Sequence, residues 1–203
     1  MDSSDIEQEA TSQGSPGIGN RGDEFDDLGG APDFGTVGPF PGGPVRRDGE
    51  KYYPPPDAFA FYLPFHFFYP TWWGVYLVLE STLALAEFVR TRSGGALTAM
   101  ESLVATRIFL YAHESFRHIV ESFGTRLEVS HRKPLYKEGF ARLYRRVYGS
   151  DECLEEAIAT AHGIRRVKAC AFRGEKTKTA SAVAALRKFV EGCPPGYRRG
   201  PEF

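Results

Sequence analysis

Polar and apolar positions divide this chain of 203 residues into a front without pattern and a strongly patterned body. Up to residue 50 no apolar periodicity is present. From Phe59 to Leu79 the chain is almost continuously apolar, for about the length of a membrane span, but Pro64, His66 and Pro70 argue against a spanning helix. Aromatic and β-branched residues in this stretch predict two short strands, at 58–63 and 73–79, joined by a Pro-rich connection and packed as a buried hairpin.

Helical spacing takes over from Glu80. Leu83, Leu85, Ala86, Phe88 and Val89 predict a helix that Ser93-Gly94-Gly95 stops. The next segment carries Met100, Leu103, Val104, Ile108, Tyr111, Ala112, Phe116, Ile119, Val120 and Phe123 at intervals of three and four, which predicts a helix of about seven turns with those residues facing the core and an end near Gly124. A loop through His131-Arg132-Lys133-Pro134 leads to a basic helix over 135–148. Gly149-Ser150-Asp151 then supplies a break and an N-cap for a helix over 152–169, and a last helix spans 178–191.

Charge separates the two regions further. Residues 1–50 hold 11 acids and 3 bases, with 11 Gly and 5 Pro, so this segment is expected to be a disordered acidic tail that buries too little surface to offset the entropy of ordering. Ordered structure is expected from the Pro54-Pro55-Pro56 run near residue 51 to the end at 203. The whole chain carries −1, so the body carries +7. No basic-then-apolar segment opens the sequence, so neither a secretory signal nor a transmembrane segment is expected. The three cysteines, Cys153, Cys170 and Cys193, lack zinc-finger spacing and suit reduced thiols in a cytoplasmic setting.

Two segments carry candidate chemistry. His113-Glu114-Ser115-Phe116-Arg117-His118 lies on the long helix, and Glu152-Cys153-Leu154-Glu155-Glu156 opens a later one. Two imidazoles and a distant carboxylate can hold Zn²⁺ with one position open, and a neighbouring glutamate can deprotonate the bound water. The spacing is one residue wider than H-E-x-x-H. On a regular helix positions five apart diverge by about 140°, so His113 shares its face with Arg117 and not with His118. Convergence of both histidines requires a local widening such as a π-bulge.

The H-E-x-x-x-H spacing followed by an acidic Glu-Cys segment resembles the dipeptidyl-peptidase III family of zinc peptidases and, more broadly, the gluzincins. The likeness covers His113 to His118 and Glu152 to about Thr160. It implies a zincin-like domain in which His113 and His118 bind Zn²⁺, Glu114 is the general base and a glutamate of the second cluster completes the site. The peptidase motif points to Glu152, directly before Cys153. The wider gluzincin pattern points to Glu156, with Thr160 four residues later supporting a histidine. Glu156 is preferred and Glu155 comes next, since helical phase does not separate these two. If the site descends from H-E-x-x-H, the second ligand position is Arg117, whose guanidinium stays protonated and has no lone pair to give, and the site is degenerate.

Other readings stand beside the metal site. On an undistorted helix Glu114, His118 and Glu121 form a polar stripe that Arg107 or Arg117 can neutralise. A carboxylate bundle site using Glu80, Glu87 or Glu101 lacks the paired E-x-x-H motifs that iron or manganese sites use. His131, His162 and Tyr136 are candidate oxyanion donors that are more often ordinary surface or packing residues, and His66 reads as a hydrogen-bonded core histidine. Arg142, Arg145, Arg146, Arg165, Arg166, Lys168, Arg173, Lys176 and Lys178 supply positive density for nucleic acid or an acidic partner, without a recognised binding motif.

The sequence therefore predicts an α+β, mostly helical zincin-like domain with a small N-terminal β-hairpin. The expected activity is zinc-dependent hydrolysis of peptide or related amide bonds in a peptide or protein substrate. The competing expectation is a non-enzymatic helical binding protein with a basic face and a degenerate metal site.

Overall fold

The continuous apolar and aromatic runs Ala60–Leu63 (β1) and Gly74–Leu77 (β2) pair as a two-stranded antiparallel sheet, in a register that sets Phe61 opposite Tyr76 and Leu63 opposite Gly74. The computed structural model of the chain describes Gly49, 58–140, Arg142, 145–148 and 150–203. The acidic tail expected over 1–50 lies outside the described residues except for Gly49, and Arg145 is described only in its backbone. Between the strands Phe65–Phe68 forms a single helical turn (α1), whose Phe68 joins Phe61 and Leu63 in a small aromatic core. The hairpin expected from aromatic and β-branched content is thus present, with its Pro-rich connection partly helical.

The rest of the described chain is helical. Leu79–Arg92 (α2) stops at Ser93, as the Ser-Gly-Gly sequence predicts. Ala99–His131 (α3) starts at a capping box: the Thr98 hydroxyl accepts from the Glu101 amide at 3.2 Å, and the Glu101 carboxylate accepts from the Thr98 amide at 2.8 Å. The helix does not stop at Gly124, where the sequence placed its end. It runs to Arg132, whose backbone takes the left-handed conformation just before Pro134. Gly124 is there for close approach: a Cβ on it would lie 3.1 Å from the Tyr136 ring.

The basic segment expected as one helix over 135–148 is helical at most of its described residues, as Leu135–Gly139 (α4), a π-helical stretch that includes Phe140 and Arg142, and Arg145–Val147 (α5). Leu154–Cys170 (α6) and Lys176–Glu191 (α7) correspond to the last two expected helices, although α6 starts two residues later than expected, with Cys153 and not the Gly149-Ser150-Asp151 segment at its N-cap; a 3₁₀ turn, Tyr197–Glu202, closes against α6. Gly200 makes that closure possible, because a Cβ there would fall 2.5 Å from Thr160 Cγ2. Among the described residues no helix is long and apolar enough to cross a membrane.

Four helices build the main core. Leu85 and Val89 of α2, Ala105 and Phe109 of α3, Ile164 and Val167 of α6, and Ala182, Leu186 and Val190 of α7 are buried together. Each large aliphatic side chain among them contributes about 1.5–3 kcal/mol. α3 and α6 approach closely at Gly163, where a Cβ would meet the carbonyl oxygen and ring of Phe109 at 2.9 Å. This contact brings His113, one turn beyond Phe109, against the first turns of α6.

The face that α3 buries only partly matches the one its apolar spacing predicts: Ala112 is buried and Ile108 packs against the core, whereas half of the expected residues do not. Met100, Val104, Tyr111, Ile119 and Phe123 are 38–67% exposed. The opposite face, with Ser102, Ala105, Thr106, Phe109, His113 and Glu121, is buried. Small side chains there permit the close crossing with α6; of the polar ones, His113 bonds Glu156 of α6 and Glu121 bonds the hairpin, while the Ser102 and Thr106 hydroxyls make no hydrogen bond among the described residues.

Candidate functional site

Helix α3 is regular through 113–118, with no π-bulge. His113 and His118 therefore point to different places, and two polar clusters result. The first lies between α3 and α6. Glu156, fully buried in the first turn of α6, is ion-paired to the Arg117 guanidinium and accepts from His113 Nε2 at 3.2 Å. With Nε2 donating, His113 Nδ1 accepts from the Thr160 hydroxyl at 3.4 Å. The Tyr197 ring stacks on His113, with centroids 5.5 Å apart and planes 8° from parallel.

Glu114 completes this cluster. It is 6% exposed, with Oε2 lying 3.4 Å from Arg117 Nε and Oε1 lying 3.9 Å from His113 Nε2. Its Oε2 makes no hydrogen bond among the described residues. Glu155 is close by: burial raises its carboxyl above the ordinary range, Arg117 opposes that rise, and Glu156 and Glu114 add to it. Among the described residues Arg117 thus faces Glu114, Glu155 and Glu156. Burial, and then the Glu156 charge, push the Tyr197 hydroxyl upward.

The second cluster fastens the hairpin to α3. Glu121 is fully buried and accepts four hydrogen bonds: from the Tyr62 hydroxyl, from the Phe65 amide at 3.0 Å, from the His66 amide at 2.9 Å and from His66 Nδ1 at 2.6 Å. His66 Nε2 reaches Glu128 at 2.7 Å, so each nitrogen of this ring faces a carboxylate. His118 belongs here. Its Nδ1 lies 2.9 Å from the Tyr62 oxygen, whose proton is given to Glu121, and its Nε2 lies 3.4 Å from the Ser122 hydroxyl. Burial and Glu121 raise the Tyr62 hydroxyl well above its ordinary range.

The expected ligand set is therefore divided. His113 and Glu156 are brought together, with Glu114 beside them and Thr160 supporting His113. His118 is not, because five helical residues turn it onto Tyr62. Glu152 is exposed, which leaves Glu156 as the buried glutamate of its segment. Arg117 occupies the position four residues after His113, where H-E-x-x-H carries its second imidazole. Among the described residues no three His, Cys, Asp or Glu side chains converge as metal donors. This set does not fit Zn²⁺: a guanidinium cannot ligate, and it repels a dication about 5 Å away by roughly 7 kcal/mol at an effective dielectric of 20.

The remaining candidates are ordinary by position. His131 is exposed at the end of α3. His162 packs near Phe116, and burial, with Arg166 and Arg165 nearby, lowers its pKa. Tyr136 stacks on His66, which is hydrogen-bonded in the aromatic layer as expected. Glu101 pairs with Lys178 and Glu87 with Arg90, so neither turns toward a bundle site. Sequence reasoning missed Tyr62 and Tyr197, because nothing local marks a tyrosine that a distant segment will meet.

A cavity of about 340 Å³ adjoins the first cluster. Phe59, Phe61, Phe109 and Phe189 line it, while Glu114, His113 and Arg117 supply its polar side. Tyr148 and Pro194, both exposed, also line it, so the cavity reaches solvent. Compared with protein-family models, curated proteins and solved structures, the chain matches none.

Proposed function

We propose that this domain is a non-enzymatic binding module whose hydrolase-like constellation is degenerate, with Arg117 standing in for the metal. The observation that carries this reading is the ion pair of Arg117 with Glu156, flanked by Glu114. A fixed cation there neutralises the carboxylates that Zn²⁺ would otherwise neutralise, and it leaves the cluster packed without an ion. Glu114 is then a charged wall residue of the cavity and not a general base.

Metal analysis tests the proposal. The purified full chain is expected to hold no stoichiometric zinc. Arg117→His, which restores H-E-x-x-H beside Glu156, is expected to acquire zinc and to lose it again when Glu156→Ala is added. Stoichiometric zinc in the unmutated protein, removed by His118→Ala, would overturn the proposal and restore zinc-dependent hydrolysis by His113, His118, Glu156 and Glu114.

The basic surface supports an acidic partner for this module. Arg165, Arg166, Lys168, Arg173 and Lys176 are exposed along and just beyond α6. Binding of an acidic polymer such as heparin should weaken steeply with salt, and binding that is constant between low and high salt would count against this surface.

A further inference from the structure

Helix α3 keeps its negative charges on the domain side and presents apolar residues to solvent. None of its four glutamates is exposed, and each is engaged: Glu101 by Lys178, Glu114 by Arg117, Glu121 by the hairpin and Glu128 by His66. Met100, Val104, Tyr111, Ile119, Phe123 and Val129 are instead 38–75% exposed, along about 44 Å of helix. The solvent side of a helix normally carries its polar residues, and contiguous apolar surface of this length marks a place where something docks. The charges this side does carry are of one sign. Arg107 and Arg126, both exposed, stand on the strip 19 residues apart, and among the described residues neither makes an ion pair. No aspartate or glutamate is among the exposed residues of α3.

Neighbouring helices extend the strip. At one end Leu83 of α2, 49% exposed, lines a groove of about 230 Å³ with Met100 and Leu103, and the Glu87 at that groove is already paired with Arg90. Farther along, Phe116 packs near His162, and the exposed Arg165 and Arg166 of α6 lie near that histidine.

We propose that this side of α3 seats an acidic amphipathic helix of another protein, with its apolar seam along the strip and its carboxylates meeting Arg107 and Arg126. A second copy of this chain is a poor match, because it brings the same two arginines and no exposed carboxylate on that side. A lipid surface is a poor match as well. Both arginines lie in line with the apolar residues, within one turn of Val104 and Phe123, so burying the strip in a bilayer would carry their charges inward. The proposal deepens the acidic-partner reading of the basic surface and does not depend on whether the first cluster holds metal.

Three synthetic four-heptad peptides test it against the full chain, with binding followed by fluorescence anisotropy. The first carries leucines along one seam and glutamates beside them, whose mutual repulsion keeps the peptide from pairing with itself. The second has lysine for each glutamate, and the third has serine for each leucine. The acidic leucine peptide should bind, and each of the other two should bind at least roughly tenfold more weakly. Arg107→Glu combined with Arg126→Glu should reverse the preference toward the lysine peptide, and Phe123→Ser should weaken the acidic peptide by roughly tenfold. All three positions are exposed, and the peptide comparison on the unmutated chain stands even if a variant misfolds. Equal binding of the acidic and basic leucine peptides, equal binding with and without the leucine seam, no binding of any peptide, or an unaltered preference in the folded double variant would overturn the proposal. So would dimerisation of the full chain in sedimentation, or capture by phosphatidylserine vesicles, that Phe123→Ser abolishes. Heparin, which has no apolar face, tests the acidic-partner reading by itself: salt-sensitive heparin binding without discrimination among the peptides removes only the seat on α3.

Discussion

Glu121 is the single side chain whose loss should be felt most. It is fully buried and takes four hydrogen bonds, two of them from backbone amides at Phe65 and His66, so it fixes the turn between the strands onto α3. Glu121→Ala leaves four donors without that acceptor. An unsatisfied buried donor costs about 1–3 kcal/mol, and the lower end applies here because Phe65 and His66 are half-buried and water can enter the space left behind. The expected loss is about 3–4 kcal/mol, a large share of the roughly 5–15 kcal/mol typical of a folded domain. Tyr62→Phe, which removes one of the four, should cost about 1 kcal/mol. Urea unfolding followed by tryptophan fluorescence reads this directly. Trp72 and Trp73 are the only tryptophans in the chain, and the Trp73 ring lies 6.0 Å from His118. A loss below about 1 kcal/mol for Glu121→Ala would refute the reasoning, since the four bonds would then be replaceable by water.

Three further outcomes are expected. Arg117→Met should cost about 3 kcal/mol in urea unfolding by removing the guanidinium paired with the buried Glu156 carboxylate, and adding Glu156→Gln should recover part of it; strictly additive losses would show that the two groups are not coupled. Gly163→Ala should lower stability by about 1–3 kcal/mol by pressing on the Phe109 backbone, whereas Gly139→Ala, with open space around it, should be neutral or mildly stabilising in the same thermal melt. The Lys178 bond holds the Glu101 carboxyl down at about 2, and Glu101 with Glu175 lifts Lys178 to about 12. The contribution of Glu101 is therefore present above about pH 4.5 and lost as pH falls through about 2. That of Lys178 is present below about pH 10.5 and lost as pH rises through about 12. Melts of Lys178→Met against the unmutated chain should show shallower dependence on both limbs, and parallel curves would contradict this.

How far the sequence discloses this architecture depends on the element. The hairpin, α2, α6 and α7 follow from local pattern because most of their apolar residues pack, Leu83 and Leu154 being exposed exceptions. Helix α3 is legible as a helix but not in its orientation. Half of the apolar residues that its spacing assigns to the core, Met100, Val104, Tyr111, Ile119 and Phe123, face outward, and the buried side combines small residues with polar groups, of which His113 and Glu121 bond partners 43 and 59 residues away. Glu121 reads as one point of a polar helical stripe, and only the folded hairpin reveals Tyr62 and His66 around it. The pairing of His113 with Glu156 and Thr160 was legible from motif spacing, and so was the alternative in which a regular helix turns Arg117 to the second ligand position. The geometry of α3 favours that alternative. Gly124 misled because a glycine that ends many helices here makes room for Tyr136. The 3₁₀ turn carrying Tyr197 had no periodic signal, since its place is fixed by Gly200 packing on Thr160.

The account turns on what Arg117 does between Glu114 and Glu156. Zinc content per chain, measured by mass spectrometry on the unmutated protein and on Arg117→His prepared side by side in zinc-containing buffer, addresses it most directly. The account predicts no stoichiometric zinc in the unmutated chain and about one zinc per chain in Arg117→His, in keeping with a three-ligand site of two imidazoles and Glu156. Stoichiometric zinc in the unmutated chain that disappears with His118→Ala would contradict it.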